Sequence, residues 1–252
     1  MLYAHDNDGH LIEATGTGAR ATCPLCRAPV HAKCGVLVQR HWAHEEWTGC
    51  DVGKEPETDW HRTWKRCFPR ECQEVVRGPH RADAVTRSGW AIEFQHSGIS
   101  VEEVWKREAH YQRMCWVVDA APFFSNLELR PREDLTLRND RWTQRCTFRW
   151  KWPHRVWALA RCPVFIDLRD GWLFRLEWMS ENVPCGGKGI ALLAVNFMHR
   201  AGCSDSNTLE DRLDANKTRV TAYCSECGRN GALSFQGALC KWCGNDPALM
   251  AA

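Results

Sequence analysis

The chain has 252 residues, 44% of them apolar and 25% charged, with a formal net charge of +2. That composition excludes wholesale disorder, and the near-neutral balance excludes a global pull toward nucleic acid, so any such binding must rest on local patches. No apolar run approaches the roughly 18–20 residues that cross a bilayer, and the start MLYAHDNDGHLIEA lacks the basic-then-apolar plan of a secretory signal.

A cytoplasmic protein with no membrane partner is therefore expected, and its 15 cysteines are read as metal ligands or core residues rather than disulfides. Residues 2–14 read as a hairpin turning at Asp6-Asn7-Asp8-Gly9. A Cys/His segment follows over 23–50. Pro56 suits the first turn of a helix over 56–68. Next come a strand at Gln73–Arg77, a strand pair in RADAVTRSGWAIEFQ (81–95), a helix over 101–114 and an apolar strand CWVVDA at 115–120. The resulting order is αβββαβ. Ser100 is placed to cap the second helix, with Glu103 closing a capping box and Ile99 and Val104 forming a hydrophobic staple.

Residues 120–150 suggest little regular structure, although 130–157 is basic with interleaved Trp, a mixture suited to phosphate and base contacts. VFIDL and WLFRLEWM around Arg169-Asp170-Gly171 predict a further hairpin over 164–179, and the stretch near 200–217 reads as a linker.

Two cysteine patterns point to zinc. Cys224-x2-Cys227-x12-Cys240-x2-Cys243, with Gly228 and Gly244 after each pair, has the spacing of a closed four-thiolate ribbon. Cys23-x2-Cys26 and His41-x2-His44 predict a second site, for which His31, Cys34 and Cys50 are competing ligands. Both are structural zinc sites in this reading.

The strand pair carries a different chemistry. A three-residue loop Arg87-Ser88-Gly89 pairs 84 with 92 and 83 with 93, placing Asp83 and Glu93 on one face with Cβ atoms roughly 5 Å apart. Ala82, Ala84, Ile92 and Phe94 then share the opposite, apolar face. Two carboxylates held that close call for a cation, and hard oxygen ligands suit Mg²⁺ or Mn²⁺. Gln95 lies on the same face as Glu93, and Glu57, His61 and Lys65 form one stripe of the first helix at i, i+4 and i+8.

Glu57-x3-His61-x3-Lys65, Arg81-Ala-Asp83, Ile92-Glu-Phe-Gln95, Ser97, Ile99-Ser100, Glu103, Arg107 and Tyr111 together resemble the competence protein CoiA-like nuclease family of the PD-(D/E)XK superfamily. Cys23-Pro24-x-Cys26 and His41-Trp-Ala-His44 look like that family's zinc-bearing N-terminal region. The resemblance covers roughly residues 1–120, and the four-Cys ribbon lies outside it.

It implies an α/β, restriction-endonuclease-like core and a Mg²⁺- or Mn²⁺-dependent DNA endonuclease. Asp83 and Glu93 would be its metal acids and Glu57 would reach the metal through water. Arg107 and Tyr111 would hold substrate phosphate. Gln95 stands where the superfamily has Lys, with Lys65 as the replacement. The expected division is a hairpin and zinc region at 1–53, a nuclease-like core at 54–200 and the ribbon at 218–252. A DNA-binding adaptor with weak cutting is the alternative that the missing Lys favours.

Overall fold

A computed structural model describes residues 1–35, 40–46, 49–50, 58–132, 136–138, 141–169, 171–181 and 185–202. Glu57 and the cysteines of the expected ribbon (224–243) lie outside these described residues. The contacts divide the chain into two compact units, Met1–Phe94 and Gln95 onward.

The first unit opens with the expected hairpin. β1 (Tyr3–His5) pairs antiparallel with β2 (Leu11–Glu13), and Gly9, at φ 81, supplies the left-handed backbone of the turn. β3 (Arg20–Thr22), β4 (Pro29–Lys33) and β5 (His41–His44) complete a five-stranded sheet of order β2-β1-β3-β4-β5. Its core is small: Met1, Ala4, Ala14, Cys23, Val30, Ala32 and Trp42. Trp42 is 1% exposed, and its indole N–H is satisfied by donation to the Ile12 carbonyl at 3.0 Å.

Helix α1 (Asp59–Lys65) is shorter than expected. Thr58 caps it, and the reciprocal partner is His61, which closes a capping box usually made by Glu or Gln. Trp60 and Trp64 pack on Phe94, edge-on at 6.1 Å and stacked at 5.6 Å. β6 (Gln73–Arg77), β7 (His80–Val85) and β8 (Ala91–Gln95) form the antiparallel run β6-β7-β8. Ala84 pairs with Ile92 and Val85 with Ala91, the register of a three-residue loop, and Gly89 takes φ 86 in the turn. Ala82, Ala84, Ile92 and Phe94 are all buried.

The second unit begins with helix α2 (Val101–Tyr111) and strand β9 (Met114–Asp119), so the chain order from α1 to β9 is the expected αβββαβ. Ser100 caps α2 by accepting from the Glu103 amide at 3.2 Å. The Glu103 side chain accepts a hydrogen bond from Arg107 Nε at 3.0 Å, an i,i+4 pair, in place of the expected capping box.

Residues 120–150 correct the sequence reading. They hold β10 (Leu127–Pro131), β11 (Thr136–Arg138) and the ten-residue β12 (Arg141–Trp150). Gln144, Cys146, Phe148 and Trp150 are buried, while Arg145 and Arg149 are exposed. This period-two alternation is the ordinary signature of a sheet with one wet face, and the arginines had masked it.

β13 (Val164–Asp167) and β14 (Trp172–Met179) form the expected hairpin, and β15 (Cys185–Leu193) precedes helix α3 (Ala194–Ala201). Within this unit the strands run β10-β12-β15-β14-β13-β9, with β11 on β12, and β9 and β13 pair in parallel.

The glycines of β15 have a steric cause. A Cβ on Gly189 would press into the Arg175 carbonyl and the Phe174 ring, and one on Gly187 into the Trp178 carbonyl and the Phe148 ring. Gly189→Ala is expected to cost about 1–3 kcal/mol, read as a lowered urea midpoint, while Gly98→Ala, which meets nothing nearby, is not.

Candidate functional site

Four of the N-terminal side chains gather into one group. Cys23, Cys26, His44 and Cys50 each bring one ligand atom, all within 4.8 Å of one another. Cys26 Sγ lies 3.2 Å from His44 Nε2, and Cys23 Sγ lies 4.0 Å from Cys50 Sγ. With zinc–sulfur and zinc–nitrogen bonds of about 2.3 and 2.0 Å, a tetrahedron has S···S and S···N edges of about 3.5–3.8 Å, so this Cys₃His group fits a structural ion such as zinc.

The fourth ligand differs from the expected His41. His41 and His44 lie three apart on strand β5, and a strand turns such residues to opposite faces. The x2 spacing that unites two histidines on a helix separates them here. Cys50 takes the vacant corner. Asp6, Asp8 and His10 form a second, exposed group in the β1–β2 turn.

The carboxylate site is built from α1 and the β7–β8 hairpin. Asp83 and Glu93 are next in register after the Ala84–Ile92 pair, and Glu93 is buried. Lys65, only 2% exposed, points its ammonium at Asp83 Oδ1, 3.0 Å away. Asp83 Oδ2 accepts from the Phe94 amide at 2.9 Å. Burial alone would push the Asp83 carboxyl up, but Lys65, then His61 and the Phe94 amide, hold it below the usual carboxylate range.

His61 is fixed at both ring nitrogens. A carbonyl only accepts, so Nε2 donates to Phe94 O at 3.0 Å, and Nδ1 hydrogen-bonds with the Thr58 hydroxyl at 2.8 Å. The imidazole thus ties the start of α1 to the end of β8. Gln95 closes β8, and its amide donates to Ser97 O at 3.0 Å.

Sequence reasoning missed Glu74. It adopts a left-handed backbone at φ 49, and its buried carboxylate meets Lys65 Nζ at 3.0 Å and Arg81 Nη1 at 2.9 Å. The Leu2 amide donates to both of its oxygens at 3.0 Å. Burial opposes ionisation, yet Arg81 and Lys65 outweigh it and hold the carboxyl far below its ordinary value. Lys65 therefore bridges two carboxylates, Glu74 and Asp83. The available signal was Glu74 beside Arg81-Ala-Asp83 in the strand pairing; a lone Glu second in a strand did not announce it.

In the second unit, Arg107 is committed to Glu103, and Tyr111 is buried with its ring edge-on to His110 at 5.0 Å. A further cluster lies at the carboxyl ends of the parallel strands. Asp119, fully buried, accepts from Arg169 Nε at 2.6 Å and contacts His96 Nδ1 at 2.6 Å. Burial pushes the Asp119 carboxyl up, but Arg169, the Ala121 amide and His96 together hold it below its usual value. The final Asp of CWVVDA and the Arg169 turn were its only traces in the sequence.

Compared with known proteins, the chain matches no protein family, no curated sequence and no solved structure. Among the described residues, no helix is long and apolar enough to cross a membrane.

Proposed function

We propose that the chain is a metal-dependent DNA nuclease with Asp83 and Glu93 as the metal-binding acids. The observation that carries this reading is the Lys65 ammonium 3.0 Å from Asp83 Oδ1, on the residue next in register to Glu93. The donor set fits the ion: two carboxylates on adjacent strands offer hard oxygens, and Asp83 is kept ionised by its neighbours. A bound Mg²⁺ or Mn²⁺ supplies an acidified water and neutralises charge on the leaving oxygen.

Lys65 holds Asp83 in place and supplies the positive charge that Gln95 lacks. His61, locked between Thr58 and Phe94, keeps α1 against the hairpin that bears the acids. The Gln95 amide, which both donates and accepts, orients water or a phosphate oxygen. The resemblance to CoiA-like nucleases and its DNA substrate belong to this same proposal.

Plasmid nicking with Mg²⁺ or Mn²⁺ tests it. Wild type is expected to nick and Asp83→Ala to lose at least a hundredfold in rate, the scale of removing an essential metal ligand. Wild type that cuts neither single- nor double-stranded DNA with either ion sinks the nuclease. The zinc-bearing DNA-binding adaptor then takes its place. That reading is favoured by the two internal donors, Lys65 and the Phe94 amide, which already occupy the Asp83 oxygens.

A further inference from the structure

The second unit presents a sheet face that no site above uses. Residues paired directly across antiparallel strands project to the same side. On β12, Arg145, Thr147 and Arg149 lie opposite Ile190, Lys188 and Gly186 of β15. Ile190 and Lys188 lie in turn opposite Arg175 and Trp178 of β14, and Thr147 lies opposite Arg130 of β10. The reverse side of these strands holds buried Leu129, Cys146, Phe148 and Phe174, so it is the core side. The wet side carries five cations and an indole.

Two features make this face more than an ordinary solvated surface. First, its charge is lopsided. Among the described residues, Glu128 and Glu177 alone oppose the five cations, a surplus of three positive charges on this face, in a chain whose total is +2. Glu128 pairs with Arg130 at 2.8 Å and Glu177 with Arg175 at 3.0 Å. Among the described residues no ion pair engages Arg149 or Lys188. Second, Trp178 is 56% exposed, and Lys188 is its cross-strand neighbour. An indole costs free energy to leave in water, and here it stands among cations.

We propose that this face, built on β10, β12, β15 and β14, binds single-stranded DNA. The cations track the phosphates and Trp178 stacks on a base. The occupant follows from the chemistry. A polyanion answers the charge surplus, and an exposed ring can stack only on a base whose own face is open, which a duplex does not offer away from its ends. The DNA partner rests on the nuclease reading, but the face itself does not require cutting.

Fluorescence anisotropy of the full-length chain with a labelled oligothymidylate of about 16 nucleotides tests it, in buffer without divalent cations or chelator. Arg149→Gln with Lys188→Gln should lower affinity and reduce the log K against log salt slope by about 1.4, or 0.7 per lost phosphate contact. Trp178→Ala should weaken the single strand about tenfold and a blunt duplex much less. Unchanged melting temperatures show that these surface changes leave the fold intact.

The proposal is overturned if the charge-neutralised variant binds with wild-type affinity and slope, or if Trp178→Ala weakens duplex and single strand equally. Tighter binding of an oligouridylate than of the oligothymidylate overturns DNA as the occupant. Nicking measured on the same variants keeps the two readings apart. Binding without cutting removes the nuclease and leaves this face standing, whereas cutting with binding unaltered by the substitutions does the reverse.

Discussion

Replacing Cys50 with Ser is expected to remove one zinc equivalent per chain, whereas His41→Ala leaves the metal content unchanged. Elemental analysis of the purified variants reads both. The expectation rests on Cys50 Sγ lying 4.0 Å from Cys23 Sγ, within a group that His41 does not enter. If the Cys224–Cys243 ribbon carries its own ion, wild type gives two equivalents and Cys50→Ser gives one.

The stability cost should be the largest of any substitution here. Structural zinc contributes apparent binding free energies of about 10–16 kcal/mol in finger peptides, and loss of one of four ligands forfeits much of that. The five-stranded sheet has little to fall back on, because among the described residues its fully buried core cluster is seven residues, three of them Ala. Cys50→Ser should therefore expose residues 1–50 to protease while wild type resists. Zinc loss on His41→Ala, with retention on Cys50→Ser, would restore the ligand set read from the sequence.

Lys65→Met should cost about 3–5 kcal/mol at neutral pH, the scale of stranding a buried charge without its partner. This one ammonium serves two carboxylates, Asp83 and the Glu74 that it shares with Arg81, and Lys65 and Glu74 side chains are 2% and 3% exposed. Solvent cannot substitute for the lost cation. Methionine keeps much of the volume, so the effect is electrostatic rather than a cavity.

The pH dependence separates this cause from poor packing. Glu74 and Asp83 both have folded values depressed below their unfolded ones. Their contribution is thus fully present above the unfolded values of about 4.3 and about 3.9, and is lost as pH falls through the folded values. In Lys65→Met, Asp83 loses the cation that most favours its ionisation and Glu74 keeps Arg81 alone, so protonating these acids relieves the variant. The gap between wild type and variant should narrow as pH falls from 7 toward 4, measured by denaturant unfolding. A gap independent of pH would assign the loss to packing.

What the sequence disclosed depended on whether the governing signal was local. The β7–β8 register was legible because a three-residue turn and a period-two pattern over Ala82–Phe94 admit one pairing that segregates acids from apolar residues. The β13–β14 hairpin and the Ser100 cap followed from equally short-range chemistry. His41 failed because spacing carries no handedness of its own: the same x2 interval means one face on a helix and two on a strand. β12 was missed because six arginines drew attention to charge and away from alternation. Glu74 and Asp119 were invisible for a deeper reason. Their roles are set by residues far away in sequence, and nothing local marks a carboxylate that will be neutralised only after folding.

Glu74 also bears on the order in which the chain assembles. Its carboxylate takes the Leu2 amide across 72 residues of sequence and is held ionised by Lys65 and Arg81. Closing a loop of that length costs on the order of 4 kcal/mol in chain entropy, to be met before the contact returns anything. The Leu2 amide beside β1 is therefore made long before the carboxylate that receives it is in place. On a ribosome adding about 5–20 residues per second, β1 must wait several seconds for Arg81 to emerge. Throughout that interval the Leu2 amide goes without its carboxylate, and the start of the sheet is open to chaperones.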